Sequence, residues 1–109
     1  MIADTEAAVA NFVKVARRGE IKDGAGRTVA VAGRKIALFN VGGKFYAIDN
    51  ACRHRGGPLG EGEVYGTTVV CPWHGWEYDV TSGASVEDSG VKVACFEVRV
   101  EGDDILVAP

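Results

Sequence analysis

Two short stretches, Cys-Arg-His at residues 52–54 and Cys-Pro-Trp-His at residues 71–74, decide how this sequence folds. Each stretch pairs a thiol with an imidazole, and the sixteen residues 55–70 separate them. The whole chain has only three Cys and two His, and four of these five residues fall in the two stretches. Such clustering indicates a metal site that is built from two matching loops.

Turn-forming residues surround both pairs of donors. The first pair is followed by Gly56, Gly57 and Pro58, and the second pair has Pro72 and Gly75 around it. Glycine lets backbone N–H groups approach a sulfur atom closely, while proline restricts the loop before a metal binds. Thiolates and imidazoles together suit an iron–sulfur cluster or zinc, whereas magnesium and calcium prefer oxygen ligands. A structural zinc site with the same four donors is therefore the alternative to a cluster.

Outside these loops, short β-rich runs separated by glycine-containing turns predict an all-β domain. We expect strands at residues 12–16, 28–32, 35–40, 44–49, 67–70, 77–80, 93–101 and 105–107. The Gly42-Gly43 turn and the turn at residues 101–104 each indicate a hairpin. Apolar and charged residues alternate from Phe96 to Glu101, so one face of that strand should be buried. A short helix over residues 4–11 is the only helical segment that we expect.

Length, composition and charge are those of an ordinary globular domain. The chain has 109 residues, of which 47% are hydrophobic and 25% charged, so we expect one domain over residues 1–109. Its net charge of -3 argues against nucleic-acid binding. No run approaches the roughly 18 apolar residues of a membrane span, and Asp4 and Glu6 occur where an export signal is basic or apolar. We expect a cytoplasmic monomer that binds no membrane.

The third cysteine, Cys95, lies far along the sequence from the two stretches. Three cysteines cannot all pair within one chain, and in a reducing compartment metal binding is more common than crosslinking. Cys95 has no His and no second Cys near it in the sequence. We therefore interpret it as a small buried side chain and exclude it from the metal site.

The segments CRHRGGPLG (52–60) and CPWHGWEYD (71–79) resemble the cluster-binding signature of the Rieske family, which is C-x-H and C-x-x-H at this separation. The motif covers about residues 51–83, and the β-rich flanks are similar to those of the family's small ferredoxins. The resemblance implies an antiparallel β-sandwich in which residues 51–83 form a cluster-binding subdomain of two loops. It also implies one [2Fe–2S] cluster per chain. Cys52 and Cys71 would bind one iron, and His54 and His74 would bind the other, nearer to solvent.

The mixed ligand set has a consequence for the redox chemistry. Two ferric ions, two sulfides and two thiolates sum to zero charge when both imidazoles are neutral. A four-thiolate cluster carries two more negative charges and resists reduction more, which is why histidine ligation raises the potential to about −150 to +300 mV. A site of this kind suits the transfer of single electrons.

The sequence departs from the high-potential branch of the family, whose members carry an extra Cys in each loop and a hydroxyl residue close to the cluster. Gly57 and Trp73 stand at the disulfide positions and Trp76 at the hydroxyl position, whereas Tyr78 matches a second hydroxyl position. We therefore expect no disulfide and a potential in the lower part of the Rieske range. At least one of the two tryptophans should shield the cluster from water.

These features resemble a soluble ferredoxin that accepts one electron from a flavin-dependent reductase and passes it to a terminal oxygenase. The sequence to Pro109 has no space for a mononuclear iron domain, so we expect an electron carrier and not an enzyme. The alternatives are a small subunit of a nitrite reductase-like enzyme and a noncatalytic redox-sensing module. Arg53 and Arg55 flank His54, where they dock an acidic partner surface or simply lie in a solvated loop.

Overall fold

The computed structural model describes residues 12–109, which contain nine β-strands and two short 3-10 helices. The strands are β1 (Val13–Arg17), β2 (Gly26–Val31), β3 (Arg34–Val41), β4 (Lys44–Asp49), β5 (Glu63–Tyr65), β6 (Thr68–Val70), β7 (Glu77–Asp79), β8 (Cys95–Glu101) and β9 (Asp104–Ala108). The 3-10 helices are Arg18–Glu20 and Leu59–Glu61. The expected helix at residues 4–11 lies outside the described residues.

The strands form two antiparallel sheets. The larger sheet has the order β1-β9-β8-β4-β3-β2, and the smaller one has the order β5-β6-β7. The two expected hairpins are confirmed, because β3 pairs with β4 across the Gly42-Gly43 turn and β8 pairs with β9 with Glu101 opposite Asp104. The expected all-β antiparallel sandwich is confirmed as well.

Two hydrophobic cores hold these layers together. The first core lies on one face of the larger sheet and joins its two halves through the side chains Ala16, Ile21, Val29, Val31, Ile36, Leu38, Phe45, Ala47, Ile105 and Val107. The second core lies between the other face of β3 and β4 and the smaller sheet. Its members are Ala37, Phe39, Ile48, Cys52, Leu59, Val69, Cys71, Tyr78, Val80 and Val93. The second core therefore contains both cysteines of the two-loop motif.

Strand β3 contributes side chains to both hydrophobic cores. Ile36 and Leu38 belong to the first core, while Ala37 and Phe39 belong to the second, and all four side chains are 0% exposed. Neighbouring residues of a strand point to opposite faces, so a strand buried on both faces needs an unbroken apolar run. The segment Ile-Ala-Leu-Phe at residues 36–39 supplies that run.

Three details differ from the sequence-based expectations. Strand β5 was not predicted, because Glu63 and Tyr65 are exposed and only Val64 contributes an apolar side chain. Strand β8 begins at Cys95, and its Val100 is 41% exposed although it continues the apolar alternation. The prediction that Cys95 is buried was wrong. Phe96 packs against the first core, so its neighbour points to the opposite face of the sheet, where it remains exposed.

No helix in residues 12–109 combines the length and the apolar character that crossing a membrane requires.

Candidate metal centre

Two loops with the same closing hydrogen bonds carry the predicted donors. In the first loop, the Cys52 N–H donates to the Gly57 carbonyl at 3.0 Å, and the Gly56 N–H donates to the Cys52 carbonyl at 2.7 Å. In the second loop, the equivalent bonds run from the Cys71 N–H to the Trp76 carbonyl and from the Gly75 N–H to the Cys71 carbonyl. The two loops thus present their cysteines in the same backbone setting.

Each loop reverses direction at a glycine with a left-handed backbone. Gly56 has φ of 77° and Gly75 has φ of 79°, a conformation that side-chain-bearing residues rarely adopt. Both glycines directly precede the residue whose carbonyl closes the loop. The glycines that the sequence places around the donors are therefore required by the shape of the loops.

The structure brings the four predicted site residues together. Cys52 and Cys71 are each only 3% exposed and lie in the second core, whereas His54 and His74 are exposed. The two imidazole rings meet edge to face, with centroids 4.7 Å apart and an interplanar angle of 86°. Sulfur donors therefore lie on the inner side of the site and nitrogen donors on its outer side.

The burial of the two neighbouring thiols favours the binding of a metal cation. Desolvation by burial raises the pKa of the Cys71 thiol, the backbone N–H groups of Trp73 and His74 lower it, and the neighbouring Cys52 raises it again. Two adjacent buried thiolates are unfavourable without positive charge, whereas a bound metal ion deprotonates a coordinating thiol. The donor set thus fits a metal centre better than a pair of free thiols.

The surroundings of His54 favour coordination through a neutral imidazole. Partial desolvation, followed by the positive charges of His74 and Arg55, lowers the pKa of His54. A histidine must be deprotonated at the nitrogen that binds a metal. The surroundings of His54 therefore favour the form of the side chain that acts as a ligand.

Tyr78 connects the smaller sheet to the first loop. Its hydroxyl oxygen accepts the backbone N–H of Arg53 at 3.0 Å and lies 3.3 Å from the Cys52 Sγ. Desolvation and then the contact with Cys52 raise the pKa of Tyr78 to about 12, so the hydroxyl keeps its proton at neutral pH. A cysteine that binds iron as a thiolate has no proton to donate, so in that state the Tyr78 hydroxyl would be the donor to the sulfur. The expected hydroxyl contact of Tyr78 is confirmed.

Gly57 and Trp73 face each other across the two loops, which is the relation expected of positions that carry a disulfide in other branches of the family. A Cβ atom added at Gly57 would lie 3.0 Å from the Trp73 Cγ and 2.7 Å from the Cys71 Sγ. The indole and the bare glycine backbone therefore fill the space of the bridge. Cys52, Cys71 and Cys95 are all free.

Trp76 reaches from the second loop to the first. Its ring lies parallel to the His54 imidazole, with centroids 4.6 Å apart and an interplanar angle of 11°. The sequence predicted a shielding role for one of the two tryptophans. It did not predict this pairing, because the two residues are 22 positions apart and only the placement of the loops joins them.

Asn50 is a structural residue of the site that sequence analysis missed. It is 6% exposed, and its Oδ1 accepts hydrogen bonds from the Thr28 hydroxyl at 3.0 Å and from the Gly60 N–H at 2.8 Å. Its carbonyl accepts the Leu59 N–H at 2.8 Å. Asn50 thereby fixes both ends of the first loop to strand β2. Its position two residues before Cys52 was the available signal.

The two arginines beside His54 differ in their surroundings. The Arg53 guanidinium donates to the Lys92 carbonyl at 3.1 Å, which ties the first loop to the segment before β8. Arg55 is exposed. A role in docking a partner is therefore better suited to Arg55 than to Arg53.

The separation of the sulfur donors from the nitrogen donors favours a cluster over zinc. Cys52 and Cys71 are buried, whereas His54 and His74 are exposed. A structural zinc ion needs about four donors at bond lengths of roughly 2.0–2.3 Å around a single point. A Rieske cluster instead takes Cys on one iron and His on the other. The paired donors of the two loops fit the latter.

Comparisons with known proteins agree with the site. Residues 11–105 match the family model of the Rieske [2Fe-2S] domain. The ferredoxin component of the naphthalene 1,2-dioxygenase system of Pseudomonas aeruginosa is 30% identical, over 81% of this chain and 86% of that protein. The ferredoxin CarAc of Metapseudomonas resinovorans is 31% identical, over 89% of this chain and 92% of that protein.

Solved structures show the same fold. The ferredoxin of carbazole 1,9a-dioxygenase from Nocardioides aromaticivorans has a TM-score of 0.85 and 31% identity, over 92% of this chain and 99% of that one. A ferredoxin bound to the oxygenase of carbazole 1,9a-dioxygenase has a TM-score of 0.82 and 31% identity, over 89% and 92% of the two chains. A Mycobacterium tuberculosis chain assigned as an NADH-dependent nitrite reductase small subunit shares the fold, with a TM-score of 0.85 at 23% identity over 92% and 96%.

One assignment follows from the matched domain, from the sequence identities over most of both chains, and from the two loops with their sulfur and nitrogen donors. The chain belongs to the Rieske [2Fe–2S] family, as a ferredoxin similar to the ferredoxin components of dioxygenase systems.

Proposed function

We propose that this ferredoxin passes single electrons from a flavin-dependent reductase to a terminal oxygenase, using a cluster held by Cys52, Cys71, His54 and His74. The observation that carries the proposal is the placement of the four donors. The two thiols are buried in the second core, and the two imidazoles lie together at the surface with centroids 4.7 Å apart. This places the nitrogen side of the site where a partner protein can approach it.

The cofactor is a single [2Fe–2S] cluster, which gains and loses one electron at a time. The residues of this chain set the conditions for that exchange. Cys52 and Cys71 hold the inner side of the site within the core, where the surrounding side chains restrict its movement. The Tyr78 hydroxyl lies 3.3 Å from the Cys52 sulfur. Once Cys52 is an iron-bound thiolate, this hydroxyl would donate a hydrogen bond to the sulfur and stabilise negative charge there. His54 and His74 hold the outer side.

A terminal oxygenase is the electron acceptor that the relatives support best. The ferredoxins similar to this chain are named as components of dioxygenase systems, and one solved neighbour is a ferredoxin in complex with its oxygenase. The chain itself is an electron carrier and not a catalytic enzyme. A flavin-dependent reductase is proposed as the donor because a flavin converts hydride chemistry to the one-electron steps that this cofactor requires.

A nitrite reductase-like acceptor is the second candidate. The likeness to the Mycobacterium tuberculosis chain favours it, although at 23% identity this likeness concerns the fold. The two candidates differ in the protein that oxidises the reduced ferredoxin. Mixing the reduced protein with a dioxygenase and, separately, with a nitrite reductase distinguishes them by which one restores the oxidised spectrum.

We also propose that the chain acts as a monomeric cytoplasmic protein with one domain, in which residues 51–83 form the cluster-binding subdomain. The sharing of strand β3 between the two cores supports one domain. Sedimentation of the purified protein tests the monomer, and cell fractionation tests its compartment.

The experiment that tests the ligand set is a quantitative analysis of the purified protein. We expect about two iron and two acid-labile sulfide per chain, and an EPR signal with histidine nitrogen couplings after reduction with dithionite. Replacing any one of the four donors with alanine should abolish the signal. A colourless protein that holds stoichiometric zinc would overturn the proposal.

A further inference from the structure

The strongest feature that the proposed function leaves unused is the contact between Trp76 and His54. The indole lies flat on the imidazole at 4.6 Å and 11°, while the other ring at this site, His74, meets His54 edge-on at 86°. The plane of His54 is therefore set by a ring on its face and a ring at its edge. A surface imidazole without such neighbours would be able to rotate about its side-chain bonds.

The backbone of Trp76 is held by a hydrogen bond of the second loop. Its carbonyl accepts the Cys71 N–H at 2.7 Å, which closes the second loop. Its side chain is 37% exposed, compared with 56% for Trp73 in the same loop. Tryptophan buries a large flat area with few rotatable bonds. Because the backbone of Trp76 closes the second loop, its indole is well placed to hold the His54 imidazole of the first loop.

We propose that Trp76 is a positioning residue for His54, whose indole fixes the plane of the imidazole and excludes water from one of its faces. The inference rests on the proposed role of His54 as a ligand. Trp76 takes the place of a hydroxyl residue in the high-potential branch of the family. The aromatic ring supplies no hydrogen-bond donor through its face, so it orients the ligand without stabilising negative charge.

The exclusion of water by the indole predicts the direction in which the midpoint potential changes when Trp76 is replaced. With two thiolates and two neutral imidazoles, the oxidised site is formally neutral and the reduced site carries one negative charge. Water stabilises the charged form more than an apolar cover does. Removing the indole should therefore favour reduction, and we expect the equilibrium constant for reduction to rise about two- to tenfold, with tenfold corresponding to about 59 mV.

The test compares Trp76→Phe, Trp76→Leu and Trp76→Ala with the wild-type holoprotein. Midpoint potentials are measured by voltammetry, and the histidine ¹⁴N couplings of the reduced proteins are measured by pulsed EPR. We expect Trp76→Ala to have a higher potential and one altered nitrogen coupling, and Trp76→Phe to retain the wild-type values. Tyr65→Ala is the matched control, because it removes an exposed aromatic ring of strand β5 that lies outside both loops, and it should leave the potential and both nitrogen couplings unchanged.

The outcomes separate this inference from the proposed ligand set. A wild-type signal without any nitrogen coupling contradicts the ligand set itself. If the wild type shows both nitrogen couplings and Trp76→Ala keeps these couplings and the wild-type potential, the positioning role of Trp76 is overturned and the ligand set is not. If Trp76→Ala does not retain iron, Trp76→Leu supplies an apolar cover without an aromatic plane. An altered nitrogen coupling in Trp76→Leu supports the inference, and an unaltered one overturns it.

Discussion

The Tyr78 hydroxyl oxygen lies 3.3 Å from the Cys52 sulfur and accepts the Arg53 N–H at 3.0 Å. An iron-bound Cys52 thiolate carries no proton, so the Tyr78 hydroxyl would donate to the sulfur when the metal is bound. Tyr78 is 0% exposed in the second core, which keeps water from competing for either bond. A residue of strand β7 thereby acts on a donor of the first loop.

Tyr78→Phe should lower the midpoint potential. The hydroxyl stabilises the sulfur more when the site carries the extra electron, and a hydrogen bond of this kind contributes about 1 kcal/mol. That energy corresponds to about 40 mV for a one-electron couple. Tyr65→Phe is the matched control, because its hydroxyl donates to Glu63 at the surface, and its potential should equal that of the wild type. Equal potentials in Tyr78→Phe and Tyr65→Phe would contradict the role of Tyr78.

Gly57→Ala should weaken the site through crowding. The added methyl group would lie 2.7 Å from the Cys71 sulfur and 3.0 Å from the Trp73 ring, and overpacking of this kind destabilises a protein by about 1–3 kcal/mol. We expect less iron per chain and a lower melting temperature. Gly19→Ala is the control, since a Cβ atom at Gly19 meets nothing within 4 Å. Full iron content in Gly57→Ala would show that the two loops separate easily.

Asn50→Ala should destabilise the fold and the first loop together. The substitution removes the acceptor of two hydrogen bonds and leaves the buried Gly60 N–H without a partner, a change of about 2–3 kcal/mol. Thr28→Val removes only one of these bonds and should have about half the effect. Urea unfolding of the holoproteins measures both. Equal stability of Asn50→Ala and the wild type would mean that the loop is held by other contacts.

His54→Cys should keep part of the metal and lower its potential. A thiolate in place of a neutral imidazole adds one negative charge to the site, which moves the potential toward the roughly −400 mV of four-thiolate plant-type ferredoxins. Redox titration followed by EPR measures the shift, and His74→Cys provides the comparison on the second loop. Complete loss of iron from both variants would show that neither position accepts a thiolate.

Arg55→Glu should slow electron transfer to the partner at low salt. Arg55 is exposed beside His54, and charges at the rim of an interface act mainly on the association rate, an effect that salt screens. Arg18→Glu makes the same change of charge on the short helix after β1 and should have little effect. Stopped-flow oxidation of the reduced protein measures the rates. Identical rates for both variants would remove the docking role of Arg55.

The sequence predicted the two loops better than the contacts around them. The spacing of Cys52, His54, Cys71 and His74 indicated two matching loops, and the structure brings these four side chains together, with the thiols buried and the imidazoles in contact. Their role as ligands stays a prediction. The stacking of Trp76 on His54 was not predictable, since it depends on how two separate loops lie in space. Asn50 resembles any turn asparagine until its burial is known.

The hairpins followed from glycine turns and alternating side chains, which are local signals. The exposure of Cys95 could not be predicted from such local signals, because burial depends on which layer covers a strand and not on the residue type. Strand β5 also escaped prediction. Two of its residues are exposed, so the strand carries hardly any hydrophobic pattern.

The double burial of strand β3 links the metal end of the protein to the rest of it. Opening either core uncovers one face of residues 36–39, so their amide hydrogens should exchange with deuterium only when the entire chain unfolds. Metal binding contributes to folding free energy, so we expect it to protect the strands of both cores. Removing the iron should therefore speed amide exchange in the first core as well as in the second core, which contains the two cysteines.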